Sequence, residues 1–535
     1  MNTLCVRMKP YIQPFERVLA LRELRAISGA EPRPLGLFEE MSIDFELQSA
    51  RAQCDLVDRL AYWETVGHGS RRVVTEQSLR ESTVNVVRNG IALDTLRKQL
   101  PFKGEIPLPN RRCLRYGTHG IHEYRGKFFP QLVRSLINIS GTPPGGVVAD
   151  PMSGSGTTVV ESLLAGCRSL GIDLNPLSVF LGKVKCTLLA ADAERLEASY
   201  ERVRAELLAL EKCKARRLDY LESLPKMDQE YLSVWFSEDV LAGLDDIGRA
   251  IAQVTDERAR DLMRVSLSNI LRRVSWQKDD DLRVRKDIRL DVEIDPKKEF
   301  LEELSRSIRA VLAFLYQNGP LRNIDFDIIE GDAKLCGEAW GENSVDVVIT
   351  SPPYATALPY LDTDRLSLCY LGLLPRPEHR ARDQLMIGNR EVSESLRRSY
   401  WARFENEGQT LSHPVQELIR RIDSLNASAD VGFRRRNLPA LLAKYFFDMK
   451  EVMGGMYQAL KPGRFAFVVV GNNHTIAGGH RVDIPTASFL QDIARMVGFE
   501  IAEVLPMDML VSREIFRKNA MASEEILTFR KPAQI

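Results

Sequence analysis

Residues 150–158, Asp-Pro-Met-Ser-Gly-Ser-Gly-Thr-Thr, form a glycine-rich segment between an apolar run and a helical pattern. Glycine lets a backbone turn tightly and approach a ligand closely. The N-terminus of the following helix offers unpaired N–H groups and a positive dipole end to an anionic group. Asp173 ends the next apolar run, where a carboxylate can accept hydrogen bonds from two ribose hydroxyls, and Asn175 could assist it. The pattern favours a nucleotide-like ligand, but a plain turn can have the same glycines.

A second segment that could do chemistry is Thr350-Ser351-Pro352-Pro353-Tyr354, which follows the apolar run VDVVI. Two consecutive prolines hold the backbone extended and remove two N–H donors. The local carbonyl groups are therefore left to accept hydrogen bonds. Because ligands bind outside the carboxyl ends of parallel strands, this position favours a catalytic role over that of an ordinary loop.

The elements around both segments predict an α/β protein. The strand VVAD, the helix VVESLLAG and the strand SLGID follow one another, and this β-α-β order implies a parallel sheet. Later strands are predicted at 326–333 and 345–350, and further on at RFAFVVV and EILTFR. The segments AKYFFDMKEVMGGMYQAL and ASFLQDIARMV have helical spacing.

Long helical stretches interrupt this α/β pattern. The sequence predicts a helical N-terminal region over 1–110, a catalytic domain over 111–191 and 323–535, a helical insertion over 192–322 and a second insertion over 362–440. Within the N-terminal region, the apolar residues of FELQSARAQCDLVDRLAYW, from Phe45 to Trp63, are interpreted as one helix. The second insertion carries a surplus of arginines and the cluster Arg434, Arg435 and Arg436. A solvated face explains such a cluster as well as a phosphate contact does.

Composition bounds the class of protein. The chain has 535 residues and a net charge of zero, so no global basic surplus points to nucleic acid, although a local basic surface remains possible. The eight cysteines form no CxxC pair and the seven histidines no HExxH, so no metal site is predicted. No apolar run reaches the ~20 residues of a membrane span, and the N-terminus lacks a signal-peptide pattern. We therefore expect a cytoplasmic protein that does not bind membranes.

The segment DPMSGSGTTVVESLLAGCRSLGIDLNP resembles the cofactor motif of the DNA amino-methyltransferases, whose form is close to D-P-F-x-G-S-G-T-T followed by G-I-D. Met152 replaces the commoner aromatic residue. His122 to Pro130, HEYRGKFFP, resembles the family's N-terminal cofactor motif, in which a Lys-Phe-x-Pro step lies against the methionine end of the cofactor. Gly331-Asp332-Ala333 resembles the acidic turn that contacts adenine.

The resemblance implies a Rossmann-like fold that binds S-adenosylmethionine, with a mostly parallel sheet and large helical insertions. The residues that it assigns to the cofactor are Lys127, Phe128, Asp150, Ser153, Gly154, Ser155, Gly156, Thr157, Asp173, Asn175 and Asp332. The residues that it assigns to catalysis are Ser351, Pro352, Pro353 and Tyr354. Gly471, Asn472 and Asn473 are expected near the target base or, equally, in a plain strand-to-loop turn.

The implied reaction transfers a methyl group to the exocyclic amine of a base in double-stranded DNA. The base must be flipped out of the duplex, because it cannot be reached inside the stack. Serine in the first place of Ser-Pro-Pro-Tyr is typical of members that make N4-methylcytosine. Three alternatives stay open: an adenine N6 enzyme, an RNA base methyltransferase, and a cofactor-binding regulatory subunit without activity. A companion restriction endonuclease, as in a restriction-modification system, is also expected from the resemblance.

Overall fold

The computed structural model describes most of the chain. The residues described are 2–35, 42–49, 53–69, 71–88, 90–124, 126, 128–210, 218–278, 285–288, 294–355, 360–389, 392–428, 430–507 and 524–533.

The N-terminal region combines a small antiparallel sheet with helices. Its strands lie in the order β2-β3-β1-β4-β5, with the bounds β1 (Asn2–Met8), β2 (Arg33–Pro34), β3 (Asp44–Ser49), β4 (Trp63–His68) and β5 (Arg71–Val74). The helices among the described residues of this region are α1 (Pro14–Ser28), α2 (Gln53–Arg59), α3 (Glu76–Val87) and α4 (Leu93–Gln99).

The prediction that residues 1–110 are helical was therefore wrong for this sheet. The segment interpreted as one helix from Phe45 to Trp63 is divided among β3, α2 and β4. Phe45 and Leu47 are buried, whereas Gln48 is exposed. The rings of Phe45 and Trp63 pack edge to face with centroids 5.5 Å apart. Packing between strands thus decides the conformation, and the helical spacing of the apolar residues is incidental.

The rest of the chain is built on a larger sheet. The bounds of its strands and of a following hairpin are β6 (Val147–Asp150), β7 (Arg168–Asp173), β8 (Phe326–Glu330), β9 (Val345–Thr350), β10 (Leu460–Gly471), β11 (Asn473–Ala477), β12 (His480–Ile484), β13 (Glu500–Met507) and β14 (Glu524–Arg530).

Seven of these strands, as far as the chain is described, form one sheet in the order β13-β14-β10-β9-β6-β7-β8. The neighbours from β8 to β10 pair in parallel, and β14 runs antiparallel to both β10 and β13. Every residue of the central strand β9 is buried, as expected for a parallel strand covered on both faces. The predicted α/β, Rossmann-like fold with a mostly parallel sheet is confirmed.

Helices cover this sheet and form the inserted segments. Their bounds are α5 (Pro130–Ile139), α6 (Thr157–Leu164), α7 (Pro176–Leu188), α8 (Ala193–Leu210), α9 (Asp219–Ser223), α10 (Lys226–Trp235), α11 (Glu238–Ala252), α12 (Glu257–Val274), α13 (Pro296–Asn318), α14 (Cys336–Trp340), α15 (Tyr360–Tyr370), α16 (His379–Leu385), α17 (Glu394–Glu407), α18 (His413–Ala427), α19 (Phe433–Ala459) and α20 (Thr486–Val497).

The helices α8–α13 between β7 and β8 pack against the core. Their buried apolar residues belong to the same cluster as those of α7. Ser268 of α12 lies 3.1 Å from Nε2 of His122, and the neighbouring Asn269 accepts a hydrogen bond from the backbone N–H of Glu123 at 3.0 Å. The inserted helices therefore contact the segment around His122 and Glu123, which precedes the seven-stranded sheet in the chain.

Candidate active site

The glycine-rich segment joins the end of β6 to the start of α6. Asp150 is 2% exposed, and its carboxylate accepts hydrogen bonds from the backbone N–H of Met152 at 3.1 Å and from Oγ1 of Thr158 at 2.7 Å. Burial raises the pKa of Asp150 to about 6, while those hydrogen bonds act in the opposite direction. Asp150 therefore fixes the shape of the loop from within.

Two glycines in this loop have backbone conformations that other residues rarely adopt. Gly154 has φ 49° and Gly156 has φ 79°. A Cβ on Gly156 would lie 2.8 Å from Cα of Gly182, and one on Gly154 would lie 3.2 Å from the ring of Tyr124. The loop therefore needs glycine both for its turn and for its close packing.

The other predicted loop residues, Ser153, Ser155 and Thr157, are buried, and both serines make hydrogen bonds within the protein. Ser153 donates hydrogen bonds from its backbone N and its Oγ to the carbonyl of Ile172, at 2.9 and 3.2 Å. The carbonyl of Ser155 accepts a hydrogen bond from Nζ of Lys185 at 2.9 Å, and Thr157 begins α6. Lys185 itself is fully buried. In the sequence Lys185 belongs to a helical pattern, and nothing in that pattern predicts its hydrogen bond to this loop.

Asp173 closes the loop from the end of β7. Its carboxylate accepts the N–H of Gly154 and the N–H of Asn175, each at 2.8 Å. Burial raises the pKa of Asp173 to about 6. The carbonyl of Asp173 accepts the N–H of Gly331 at 3.0 Å, which brings the turn after β8 next to this carboxylate.

Asn175 and Asp332 have structural partners as well. Asn175 is 1% exposed, caps α7 through the N–H of Leu177 at 3.1 Å and donates to Asp364 at 2.8 Å. Asp332 accepts the N–H of Lys334 at 3.0 Å and lies 3.3 Å from its Nζ. The predicted cofactor roles of both residues stay predictions.

The segment before the sheet reaches the loop through Tyr124. Its hydroxyl lies 2.8 Å from Oγ of Ser178, and its ring lies over Gly154. Phe128, from the same segment, lines a cavity next to the carboxyl end of β9. Lys127 lies outside the described residues.

This cavity holds the Ser-Pro-Pro-Tyr segment. Its volume is about 110 Å³, and the described residues that line it are Gly126, Phe128, Phe129, Leu132, Ser351, Pro352, Tyr354, Val469, Met507 and Glu524. The hydroxyl of Tyr354 donates a hydrogen bond to Oε1 of Glu524 at 2.5 Å. The carbonyl of Pro353 accepts one from the hydroxyl of Tyr445 at 2.9 Å. Ser351 and Pro352 line the same cavity.

Comparison with known proteins supports one family. A family model described as a DNA methylase matches residues 102–179. The type II methyltransferase M.MvaI of Kocuria varians is 24% identical over 389 residues, which cover 70% of this chain and 80% of that protein. The type II methyltransferase M.BsoBI of Geobacillus stearothermophilus is 23% identical over 453 residues, which cover 76% and 84%. These matches support the DNA amino-methyltransferase family for this chain.

Among solved structures, a DNA modification methylase from Thermus thermophilus, in complex with S-adenosyl-L-methionine, is 18% identical to this methyltransferase. The match covers 38% of this chain and 55% of that protein, with a TM-score of 0.20.

S-adenosylmethionine is the cofactor of this methyltransferase. The loop fits such a ligand, because its positive-φ glycines turn the chain tightly at the start of α6 and Asp173 places a carboxylate beside them. Among the residues that the structure describes, no group of three side chains could hold a metal ion. No described helix is long and apolar enough to cross a membrane.

Two residues on the substrate side have contacts that the sequence did not specify. Glu524 follows no motif, yet it lies in the cavity because β14 runs antiparallel and begins where β9 and β10 end. Asn472 is expected near the base or, equally, in a plain strand-to-loop turn. Its side chain donates to Glu525 at 2.7 Å and accepts the N–H of Ala487 at 3.0 Å, so it ties β10 to β14 and α20.

Proposed function

We propose that this methyltransferase transfers the methyl group of S-adenosylmethionine to the exocyclic N4 of a cytosine flipped out of double-stranded DNA. One observation carries the proposal: Ser351, Pro352 and Tyr354 share a cavity with Phe128 of the N-terminal cofactor motif. A base in this cavity would therefore lie beside the segment that the family uses for the methionine end of the cofactor. The serine in the first position favours cytosine.

The mechanism follows from the weakness of the nucleophile. The lone pair of an exocyclic amine is delocalised into the ring, so the nitrogen must be made more pyramidal before it attacks. Ser351 Oγ and the carbonyl of Pro352 are acceptors that can hold the two N–H groups of the amine. The carbonyl of Pro353 is already engaged by Tyr445, which favours this pair of acceptors.

Tyr354 supplies a surface on which the flipped base stacks. Its hydrogen bond to Glu524 restrains the ring, and an ordered aromatic ring loses little further freedom when a base stacks on it. Once bound, S-adenosylmethionine supplies an electrophilic methyl group on a sulfonium. Positioning of the amine in line with that methyl group then provides most of the acceleration. The nitrogen gains the methyl carbon as the S–C bond of the donor breaks, and it then releases one proton to water. No covalent enzyme intermediate is needed.

The products of the reaction test the proposal. The purified protein is incubated with unmethylated plasmid DNA and radiolabelled S-adenosylmethionine, and the digested nucleosides are identified by mass spectrometry. We expect N4-methylcytosine. N6-methyladenine would move the reaction to adenine, methylation of tRNA in place of DNA would move it to RNA, and donor binding without any transfer would indicate a regulatory subunit.

The arginine cluster is our candidate for contact with the DNA backbone. Arg434, Arg435 and Arg436 lie at the start of α19, and all three are exposed. Replacing the three with glutamine should weaken DNA binding and flatten its salt dependence, because fewer counterions are released. Donor binding should persist, because the cluster lies outside the cofactor loop. A triple variant with the parental DNA affinity and salt slope would place the backbone contact elsewhere. The companion endonuclease also stays a prediction.

A further inference from the structure

A two-stranded ribbon leaves the sheet next to the catalytic segment. β10 pairs with β9, which leads into Ser351, and the ribbon of β11 and β12 follows β10 after one residue. Its register places His474 opposite Asp483 and Ile476 opposite Arg481. At about 3.4 Å a residue, its five-residue strands are about 17 Å long.

The two faces of the ribbon differ. Ala477, Val482 and Ile484 are at most 2% exposed and pack in one cluster with apolar residues of α18. The residues on the opposite face, all exposed, are His474, Ile476, Arg481 and Asp483. This face therefore presents hydrogen-bond donors, a carboxylate and one apolar side chain.

A buried asparagine joins the ribbon to the arginine cluster. Asn426 of α18 is 5% exposed. Its Oδ1 accepts the N–H of Gly478 in the ribbon's turn at 3.1 Å, and its Nδ2 donates to the carbonyl of Arg435 at 2.8 Å. A Cβ on Gly478 would lie 2.4 Å from the carbonyl oxygen of Leu425, so the turn sits tightly on α18. The outer face and the arginines are thereby held in one fixed relation.

We infer that the ribbon of β11 and β12 lies in the major groove of the DNA and reads base pairs through His474, Arg481 and Asp483, while the arginine cluster contacts phosphates. The inference rests on the proposed function. The major groove is about 12 Å wide and admits a two-stranded ribbon. Arginine pairs with the acceptors of guanine, and aspartate accepts from the amine of cytosine.

The state of Arg481 fits this assignment. Its pair with Asp483, at 2.9 Å, leaves the two side chains 65% and 72% exposed. An exposed pair of this kind contributes little to stability. Arg481 and Asp483 can therefore separate and bind base edges instead, with little loss of folding stability.

The test compares which sites are methylated with how tightly DNA binds. Each variant methylates a library of random-sequence DNA duplexes, and sequencing with modified-base detection gives its site preference. Arg481→Ala should lose between about fivefold and about a hundredfold of discrimination at one base pair, and His474→Ala should relax a different one. The triple arginine variant should instead bind all sequences more weakly, with a salt slope smaller by about three.

Two further variants separate base reading from charge and folding. Arg481→Lys keeps the charge but cannot form the two-pronged contact, so it should relax site preference while leaving the salt slope unchanged. Arg495→Ala is the matched control, because Arg495 on α20 is 57% exposed and pairs with Asp492 at 3.0 Å. It should keep the parental site preference.

Different results overturn different claims. Parental site preference in both Arg481→Lys and His474→Ala, with normal activity, would overturn the role of the ribbon and leave the proposed function intact. Relaxation by Arg495→Ala to the same degree would also overturn it. If the parental protein transfers no methyl group to any DNA in the library, the proposed function itself fails.

Discussion

At the β6–β8 end of the sheet, the hydrogen bonds that shape the glycine-rich loop join residues near each other in the sequence. Thr158 bonds to Asp150 across 8 positions, and Gly154 bonds to Asp173 across 19. At the β9–β14 end the partners are distant: Tyr354 and Glu524 are 170 positions apart. We call these the cofactor end and the substrate end.

The difference indicates how each end responds to change. The cofactor end is a strand-loop-helix-strand unit that closes on its own main-chain groups. A substitution there should alter donor binding directly. The substrate end depends on how β14 and α19 are placed against β9, so residues far from the motif should influence catalysis. Four predictions test this division, from the largest expected effect to the smallest.

The largest effect is expected at the substrate end. Ser351→Ala removes one of the two acceptors proposed for the amine and should slow methyl transfer about 100-fold, comparable to the loss of one preorganised hydrogen bond in an active site. Donor affinity, measured by calorimetry, should stay at the parental value. Ser344→Ala is the control, because Ser344 precedes the opposite end of β9 and its side chain bonds locally, to Gly341 at 3.0 Å. A fully active Ser351→Ala would place the chemistry outside this cavity.

The cofactor end should respond in binding. Asp173→Ala removes the acceptor proposed for the ribose hydroxyls and the partner of two backbone N–H groups. It should weaken donor binding by about 1–3 kcal/mol in calorimetry. Asp327→Ala, at an exposed position of the neighbouring strand β8, should bind the donor normally. Unchanged affinity in Asp173→Ala would reject the ribose site at the end of β7.

Acid should separate binding from folding at the cofactor end. With a pKa of about 6 for Asp173, donor affinity should fall about tenfold between pH 7 and pH 5, because the carboxylate becomes protonated. Folding stability changes with pH in the opposite direction. Burial raises the pKa of Asp150 and Asp173 above the value of an unfolded chain, so their contribution to stability grows as the pH falls through 6 and is lost as it rises again.

Asp173→Asn provides the control for this titration, because it cannot lose a proton. Its donor affinity should vary less between pH 7 and pH 5 than that of the parental protein. An equal fall in both proteins would assign the pH dependence to another group.

The smallest effect concerns the long-range contact of the substrate end. Tyr354→Phe removes the donor and Glu524→Ala removes the acceptor of their hydrogen bond. Each should cost about 1 kcal/mol of transition-state stabilisation, about fivefold in rate. The double variant should be no slower than either single one, because both remove the same interaction. Glu525→Ala is the control and should keep the parental rate, because its partner Asn472 lies outside the cavity. Additive losses in the Tyr354→Phe, Glu524→Ala double variant would show that the two residues act separately.

The cofactor end could be predicted from the sequence because its determinants are local. The run to Asp150, the glycines, the helical pattern and the run to Asp173 specify a β-α-β unit by periodicity and backbone preference. The Pro-Pro step after β9 is local as well. The fold class and the resemblance to the DNA amino-methyltransferases therefore follow from short segments.

Tertiary structure decided the features whose partners lie far away in the chain. The N-terminal sheet exists because β1 pairs with β3 and β4, and short apolar patterns do not distinguish such strands from helices. Glu524 enters the cavity only because β14 reverses direction beside β10. The outer face of the ribbon is defined by which of its residues α18 buries. In each case a side chain acquires its role from a neighbour that local spacing cannot specify, because strand pairing and packing join residues distant in sequence.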